Sequence, residues 1–293
     1  MRTRLDCFPC FLRQVLIALR FSRLKEHQKA QVLKAVLPII QEANLELTPA
    51  HTTTLIHRRV RQLLGQDPFR DIKREYNQVA LRMYPALRRL LLGHPRGPLW
   101  AATRLAIAGN VIDFGIFSSV DIEGTIRRAL EGPLAVEHYE AFREALGRSP
   151  QVLYLLDNAG EVAFDRLLIE VLKEMGKQVV AVLKGSAVIN DATMEDAQEV
   201  GLQGLAELIH NGSDCVGTIL ELCSAGFRER FMQAPLVISK GQGNFETLMN
   251  APRADVFFLF QSKCDVVSRE LGLERGAMLL LGKGLSPGRY PGA

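Results

Sequence analysis

Five residues carry oxygen and nitrogen groups at spacings that suggest one chemistry. Asp157, Asn158 and Asp191 offer hard oxygen donors, while Lys184 and Lys240 offer ammonium groups. Asp157 and Asn158 end the apolar run Val152-Leu153-Tyr154-Leu155-Leu156 and lead into Ala159-Gly160-Glu161. Two carboxylates and an amide oxygen can hold Mg²⁺ or Mn²⁺ and leave positions for water and substrate. Zinc suits this set less, because neither histidine nor cysteine joins it. Lysines beside such a cation match the needs of phosphoryl transfer, in which negative charge spreads over the oxygens of the moving group. A water made acidic by the cation can attack phosphorus, so the chemistry read here is metal-dependent phosphomonoester hydrolysis.

Such residues need a sheet to bring them together. After Ser149-Pro150 short apolar runs alternate with amphipathic segments: QVLYLL, QVVAVLK, LAELIH, PLVISK, VFFLFQ and AMLLLGK. That alternation argues for βαβ units and a mostly parallel sheet, whose ligands bind outside the carboxyl ends of the strands. Asp191 follows Asp157 by 34 residues, about one βαβ unit, which makes their strands neighbours. Another strand exits at Lys240-Gly241-Gln242-Gly243-Asn244, where glycines let the backbone approach an anion and the lysine adds a mobile point charge at the edge. The run matches neither G-x-x-x-x-G-K-[ST] nor G-x-G-x-x-G, so it implies no nucleotide-binding loop. Each acid also has a plainer reading: Asp157 and Asp191 as helix caps, Glu161 as a complement to the helix macrodipole. Set on one rim with the lysines, Glu161, Asn190, Gly241 and Gln242 count as substrate-contacting residues.

Residues 11 to about 148 read as helix after helix, without strand signals, and Pro85 is expected to kink or split the fourth. The fold class expected is α/β: a Rossmann-like three-layer domain over residues 150–293, preceded by a helical region over 1–149 that caps it. The tail SPGRYPGA after Leu285 reads as a loose end. Within the helical part, RLAIAGNVIDFGIF sets Asn110 and Asp113 in an apolar stretch, and pattern alone favours a structural role for both.

The net charge of +4 is far below that of a protein with a concentrated nucleic-acid-binding face. No apolar run approaches the roughly 20 residues needed to span a bilayer. No secretory signal pattern opens the chain, so a cytoplasmic location without nucleic-acid or membrane partners is expected. Arg58, Arg59 and Arg61, with Arg88 and Arg89, read as solvated helix faces. Five cysteines cannot all pair, and reduced thiols are the simpler reading. Cys7-Phe8-Pro9-Cys10 is a C-x-x-C with no second pair to complete a zinc site. Cys264 can join it only if the fold returns the N-terminus to the sheet.

The motifs C-F-P-C at 7–10, A-G-N-V-I-D-F at 108–114, D-N-A-G-E at 157–161, K-G-S-A-V-I-N-D-A-T at 184–193 and K-G-Q-G-N-F-E-T-L at 240–248 occur in an order that resembles one family. It is domain-of-unknown-function family 89, the metal-dependent damage-control phosphatases, in its prokaryotic branch with the N-terminal C-x-x-C. The resemblance covers essentially the whole chain. It implies a helical region on a Rossmann-like domain and hydrolysis of phosphate monoesters of sugars or other small, damaged metabolites. It implies Mn²⁺, Co²⁺, Ni²⁺ or Mg²⁺ as cofactor, held by Asp157, Asn158 and Asp191. It also implies a phosphate held by Lys184 and Lys240, and a site lined by Asn110 and Asp113. One departure is Ala234-Pro235, where relatives often carry an acid before the strand.

Three rivals stand beside this reading. An aspartyl-phosphate mechanism on Asp157 needs an acid two residues later, where this chain has Ala159. Carboxyl methyl transfer from S-adenosylmethionine fits a Rossmann-like sheet. A non-catalytic binder of phosphorylated metabolites needs the lysines and glycines but no activated water. The sequence sets no oligomeric state.

Overall fold

A computed structural model describes residues 1–111, 122–253 and 255–285. The chain begins with α1 (Cys7–Arg20), α2 (Glu26–Gln41), α3 (Pro49–Leu64), α4 (Arg70–Leu92), α5 (Pro98–Val111) and α6 (Ile122–Glu131). There follow β1 (Val136–Glu137), α7 (Tyr139–Arg148), β2 (Gln151–Leu155), α8 (Glu161–Glu174), β3 (Gln178–Leu183), α9 (Met194–Glu199) and β4 (Glu207–His210). The last elements are α10 (Ala225–Gln233), β5 (Val237–Lys240), α11 (Gln242–Leu248), β6 (Val256–Gln261), α12 (Asp265–Leu271) and β7 (Met278–Gly282). The fold class is α/β, with the expected helical N-terminal region and a mostly parallel sheet. All six expected strands are present. The two-residue β1 also joins the sheet from within the stretch read as purely helical, because its pairing with β7 needs only two residues and leaves no alternating pattern.

The sheet order is β1-β7-β6-β5-β2-β3-β4. β6 and β7 pair antiparallel, and the other neighbours pair parallel. The chain therefore winds from β2 through β3 to β4, then crosses back to place β5 on the other side of β2. That reversal between β2 and β5 opens the crevice in which doubly wound sheets hold ligands.

Strand periodicity divides the core into two faces. Val152 and Tyr154 of β2 join Phe164 and Leu168 of α8 in a cluster shared with α4 and α5, whereas Leu153 and Leu155 join Phe227, Phe245 and Val267 of α10, α11 and α12 on the opposite face. Both faces are apolar, which explains runs such as VLYLL and VFFLF in place of polar alternation. A third cluster joins α1, α2 and α3 to Val266 of α12.

α5 is buried from Ala101 to Asn110 and lies against α8. A Cβ on Gly109 would lie 2.9 Å from Phe164 Cβ, so glycine permits this approach, which delivers Asn110 to the crevice. Pro85 does not split α4, which runs unbroken from Arg70 to Leu92. Tyr76 and Ala80 before the proline and Leu87 and Leu91 after it are buried in one core, and packing holds the two segments together. Arg58 and Arg61 are not simply solvated: both pair with Asp214, Arg61 Nη2 at 2.6 Å, and fasten α3 to the loop after β4. Asp113 and the tail after Leu285 lie outside the described residues. No helix among the described residues is long and apolar enough to cross a membrane.

Candidate active site

The site is built where β2 ends. The chain leaves Leu155 through Leu156 to Asp157 and Asn158, then enters α8 at Glu161 by way of Gly160, whose φ is 77°. A short antiparallel bridge pairs Asn158 with Asp191. Ala192 N donates to Asp157 O at 2.7 Å and Ala159 N donates to Asn190 O at 2.8 Å. This backbone pairing sets Asp157 and Asp191 on neighbouring stretches of chain at the carboxyl ends of β2 and β3. The loop that returns to Asn190 contains Ile189 at φ 46°, a conformation that costs a β-branched residue about 1–3 kcal/mol and that clusters at functional sites.

Two side-chain amides hold one oxygen of each of two carboxylates. Asn110 Nδ2 donates to Asp157 Oδ2 at 3.0 Å and to Glu161 Oε2 at 2.9 Å. Asn158 Nδ2 donates to the same two oxygens at 2.6 and 3.2 Å. Asn110 also accepts from Gln261 N, so it ties the end of β6 to the acids. Gly241, at φ 81° and ψ 156°, carries the chain past Asp157 so closely that a Cβ there would lie 1.9 Å from Asp157 Oδ2.

Lys184 and Lys240 are both buried but face different partners. Lys184 Nζ lies 3.3 Å from Asp191 Oδ2 and donates to the carbonyl of Gly217. Asp191 Oδ2 nevertheless lacks a hydrogen bond of good alignment among the described residues. Lys240 is 0% exposed, and its ammonium reaches Glu161 Oε1 at 2.5 Å and Asp165 Oδ1 at 2.6 Å. Tyr154 donates to the same Asp165 oxygen at 2.8 Å. Lys240 is therefore a pinned cation beneath the rim, in place of the mobile edge charge its glycine-rich setting suggests. The acids of the first turns of α8 draw it inward.

The electrostatics follow from this arrangement. Burial, with the charges of Glu161 and Asp191, pushes the Asp157 carboxyl up to about 8, against the pull of Lys263 and Lys184. Burial also raises Asp191, although Lys184 opposes it. Burial raises Glu161 too, but Lys240 and Lys263 outweigh it and leave that carboxyl below its usual value. Four buried carboxylates, Asp157, Glu161, Asp165 and Asp191, thus face the buried ammonium groups of Lys184 and Lys240, while Lys73 acts on Asp191 from its own pair with Asp196. Asp157, Asp191 and the Asn158 amide are hard donors in a region short of positive charge, which fits a divalent cation of the Mg²⁺ or Mn²⁺ type. Among the described residues, no group of three or more His, Cys, Asp or Glu side chains stands at ligating spacing.

Other expected site residues lie on the same rim. Asn190 supplies the carbonyl that holds Ala159. Gln242 begins α11, donates to Glu246 at 2.7 Å and accepts from Lys263 N at 2.6 Å. Sequence reasoning missed several contributors. Lys263, exposed just beyond the carboxyl end of β6, acts electrostatically on Asp157 and Glu161, and the strand-end rule applied to VFFLFQ would have found it. Asp165 is hidden in the helical pattern of α8. Asn77 of α4 accepts from Gly160 N at 2.7 Å and so braces the turn from the helical half, with nothing in its local pattern to mark it. Asn244 donates to the carbonyls of Leu156 and Lys240, bridging β2 and β5.

Comparison with known proteins agrees with this fold. Residues 3–279 match the model of the damage-control phosphatase ARMT1-like domain. The chain is 34% identical to the damage-control phosphatase PH1575 of Pyrococcus horikoshii, over 96% of this chain and 98% of that one. It is 32% identical to a damage-control phosphatase of Archaeoglobus fulgidus, over 93% and 96%. The crystal structure of a DUF89 family protein from Pyrococcus horikoshii superposes with a TM-score of 0.90 at 31% identity, covering 97% of this chain and 99% of that one. The chain belongs to the ARMT1-like family of damage-control phosphatase domains, the DUF89 family.

Proposed function

We propose that this protein is a divalent-metal-dependent phosphatase that hydrolyses monoesters of small phosphorylated metabolites, sugar phosphates among them. The observation that carries the reading is the pair of buried carboxyls, Asp157 and Asp191, short of positive charge at the switch point of the sheet, with Lys184 and Lys263 beside them. Relatives named damage-control phosphatases support it from outside.

Asp157, Asp191 and the amide oxygen of Asn158 would hold the cation, with Mn²⁺, Co²⁺, Ni²⁺ or Mg²⁺ all suited to oxygen donors. Such an ion supplies the charge that polarises a phosphoryl group and the acidity that activates water. The protein supplies position. Asn110 and Asn158 hold Asp157 Oδ2 through their amides, and the passage of Gly241 crowds the same oxygen. Lys184 steadies Asp191 and is itself held by the Gly217 carbonyl, and its ammonium would face the edge of a bound phosphate. Lys263 brings a second positive charge from the exposed rim, and Gln242 anchors its backbone. Lys240 offsets the charge of Glu161, and burial pushes the neighbouring Asp165 carboxyl up to about 7, which weakens the repulsion of an incoming phosphate.

The test is a panel of sugar phosphates and p-nitrophenyl phosphate, assayed with each of the four cations and with chelator, using Asp157→Ala as control. The reading requires phosphate release that needs cation and is lost in the variant. Release that survives both chelator and Asp157→Ala would place the chemistry elsewhere. S-adenosylmethionine binding by calorimetry would favour methyl transfer instead.

A further inference from the structure

The N-terminal C-x-x-C takes no part in the phosphatase reading, yet the fold brings a third cysteine to it. α1 begins at Cys7, so Cys7 and Cys10 stand three residues apart on its first turn, on neighbouring positions of one face. α12 begins just after Cys264, and Val266 of α12 is buried in the same apolar cluster as Cys7 and Phe11, with Cys264 packed against it. Arg269 of α12 pairs with Asp6, which fastens the two helix starts together. Cys7, Cys10, Cys264 and Glu246 line one cavity of about 360 Å³. All three thiols are free: Cys7 is buried, Cys264 half-buried and Cys10 exposed.

We propose that Cys7, Cys10 and Cys264 form a thiolate site for a thiophilic divalent cation of the zinc class, with Glu246 as the adjoining oxygen donor, at the seam between α1 and the β6–α12 turn. Three sulfurs and one carboxylate are a donor set for such an ion, and one too many for a disulfide alone. Nitrogen donors already point at two of the sulfurs, Arg4 N at 3.4 Å from Cys7 Sγ and Gln242 Nε2 at 3.5 Å from Cys264 Sγ. N–H groups aimed at sulfur orient ligands, while burial holds the Cys7 and Cys10 thiols above their usual value, so a bound ion would have to displace their protons. The three sulfurs and the carboxylate are not gathered at ligating spacing as they stand. Cys10, on the open side, closes the set by side-chain rotation. Binding releases the thiol protons to solvent.

The site would also bear on the phosphatase rim, a consequence that rests on the proposed function. Gln242 contacts Glu246 and Cys264 through its amide nitrogen and Lys263 N through its oxygen, and it follows Gly241, which passes against Asp157. A cation at the thiols would therefore lock the side of the active site that carries Lys263.

The experiment is a Co²⁺ titration of the reduced full-length protein, read by the sulfur-to-cobalt charge-transfer absorption that oxygen ligands do not give. The band is expected in the parent and in Asp157→Ala, and is expected to be lost in Cys264→Ser and in Cys7→Ser/Cys10→Ser. Retention in Asp157→Ala separates this site from the oxygen-ligand site, so either reading can fail alone. No thiolate band in the parent, or an undiminished band in Cys264→Ser, overturns the proposal. A measurement independent of variant folding is alkylation of the parent with iodoacetamide with and without Zn²⁺, mapped by mass spectrometry. Zn²⁺ should slow labelling at all three cysteines, and equal labelling overturns the proposal.

Discussion

Lys184 and Lys240 leave the carboxyl ends of β3 and β5, the two strands that flank β2, and both are buried within the same crevice. Their surroundings differ in kind. Lys240 lies between Glu161 and Asp165, each within 2.6 Å, with Tyr154 completing the set. Lys184 has one carboxylate, at 3.3 Å, and shares its protons with a backbone carbonyl. One edge gathers two acids on one ammonium, with Asp165 Oδ2 alone left without a partner there, whereas the other gives Asp191 a single lysine and leaves Asp157 without an ion pair among the described residues. The contrast teaches that burial of a lysine at a strand end does not decide its role. The number of acids around it does: two acids make a structural cation, and one under-satisfied acid leaves demand for a further cation.

Substitution breaks this comparison most sharply at Lys240. Lys240→Met strands Glu161 and Asp165 in the interior, and removing one partner of a buried ion cluster costs about 3–5 kcal/mol. Denaturant unfolding should show that loss, and a variant as stable as the parent would mean the cluster is not structural. Asp157→Ala should leave the fold intact but lower kcat/KM by more than about 100-fold, since even the outer partners of metal ligands are worth 10–100-fold. Lys184→Met should fall between the two, with about a 10–100-fold loss of activity and a smaller stability loss than Lys240→Met. Equal behaviour of the two lysine variants in both assays would erase the distinction. Gly241→Ala forces a glycine-only backbone conformation costing about 1–3 kcal/mol and pushes a methyl group at Asp157. Its Mn²⁺ affinity should fall along with its stability.

The smallest effect is a pH dependence confined to the open edge. In chelated protein the Asp157 carboxyl rises from 3.8 to about 8 through burial and the nearby acids. The native state then holds a proton that the unfolded chain releases, so this group lowers stability as pH rises from about 4 towards 8. Melting of chelated protein should show that decline relative to Asp157→Asn, and saturating Mn²⁺ should remove it because the ion takes the carboxylate form. An identical decline in the variant would assign it to other groups.

Much of this was legible in the sequence, for reasons that vary by residue. The apolar runs marked six strands because a sheet covered on both faces needs such runs. Asp157, Asp191, Lys184 and Lys240 were findable because strand ends are where open sheets place chemistry. Of the two acids on Lys240, Glu161 was named and Asp165 was not. Asp165 lies one helical turn beyond Glu161 and looks like any polar position of an amphipathic helix, until β5 is laid beside α8. Asn110 was marked only by the ordered motif that carries the family resemblance, and Asn77 reaches the site from α4 across a sequence distance that no local pattern encodes. The pairing of Arg58 and Arg61 with Asp214, about 150 residues away, was hidden for the same reason. Local periodicity reports which face is buried, and only the tertiary fold reports which charges meet there.

The most direct test of the account is calorimetric titration of the chelated parent and of Asp191→Ala with Mn²⁺, each followed by a phosphate-release assay on the same sample. The account predicts that the parent binds Mn²⁺ and gains activity as the site fills, and that Asp191→Ala loses both together while Lys240 and its acids keep the fold. Mn²⁺ binding by Asp191→Ala as tight as in the parent, or parent activity that does not depend on the bound ion, would contradict it.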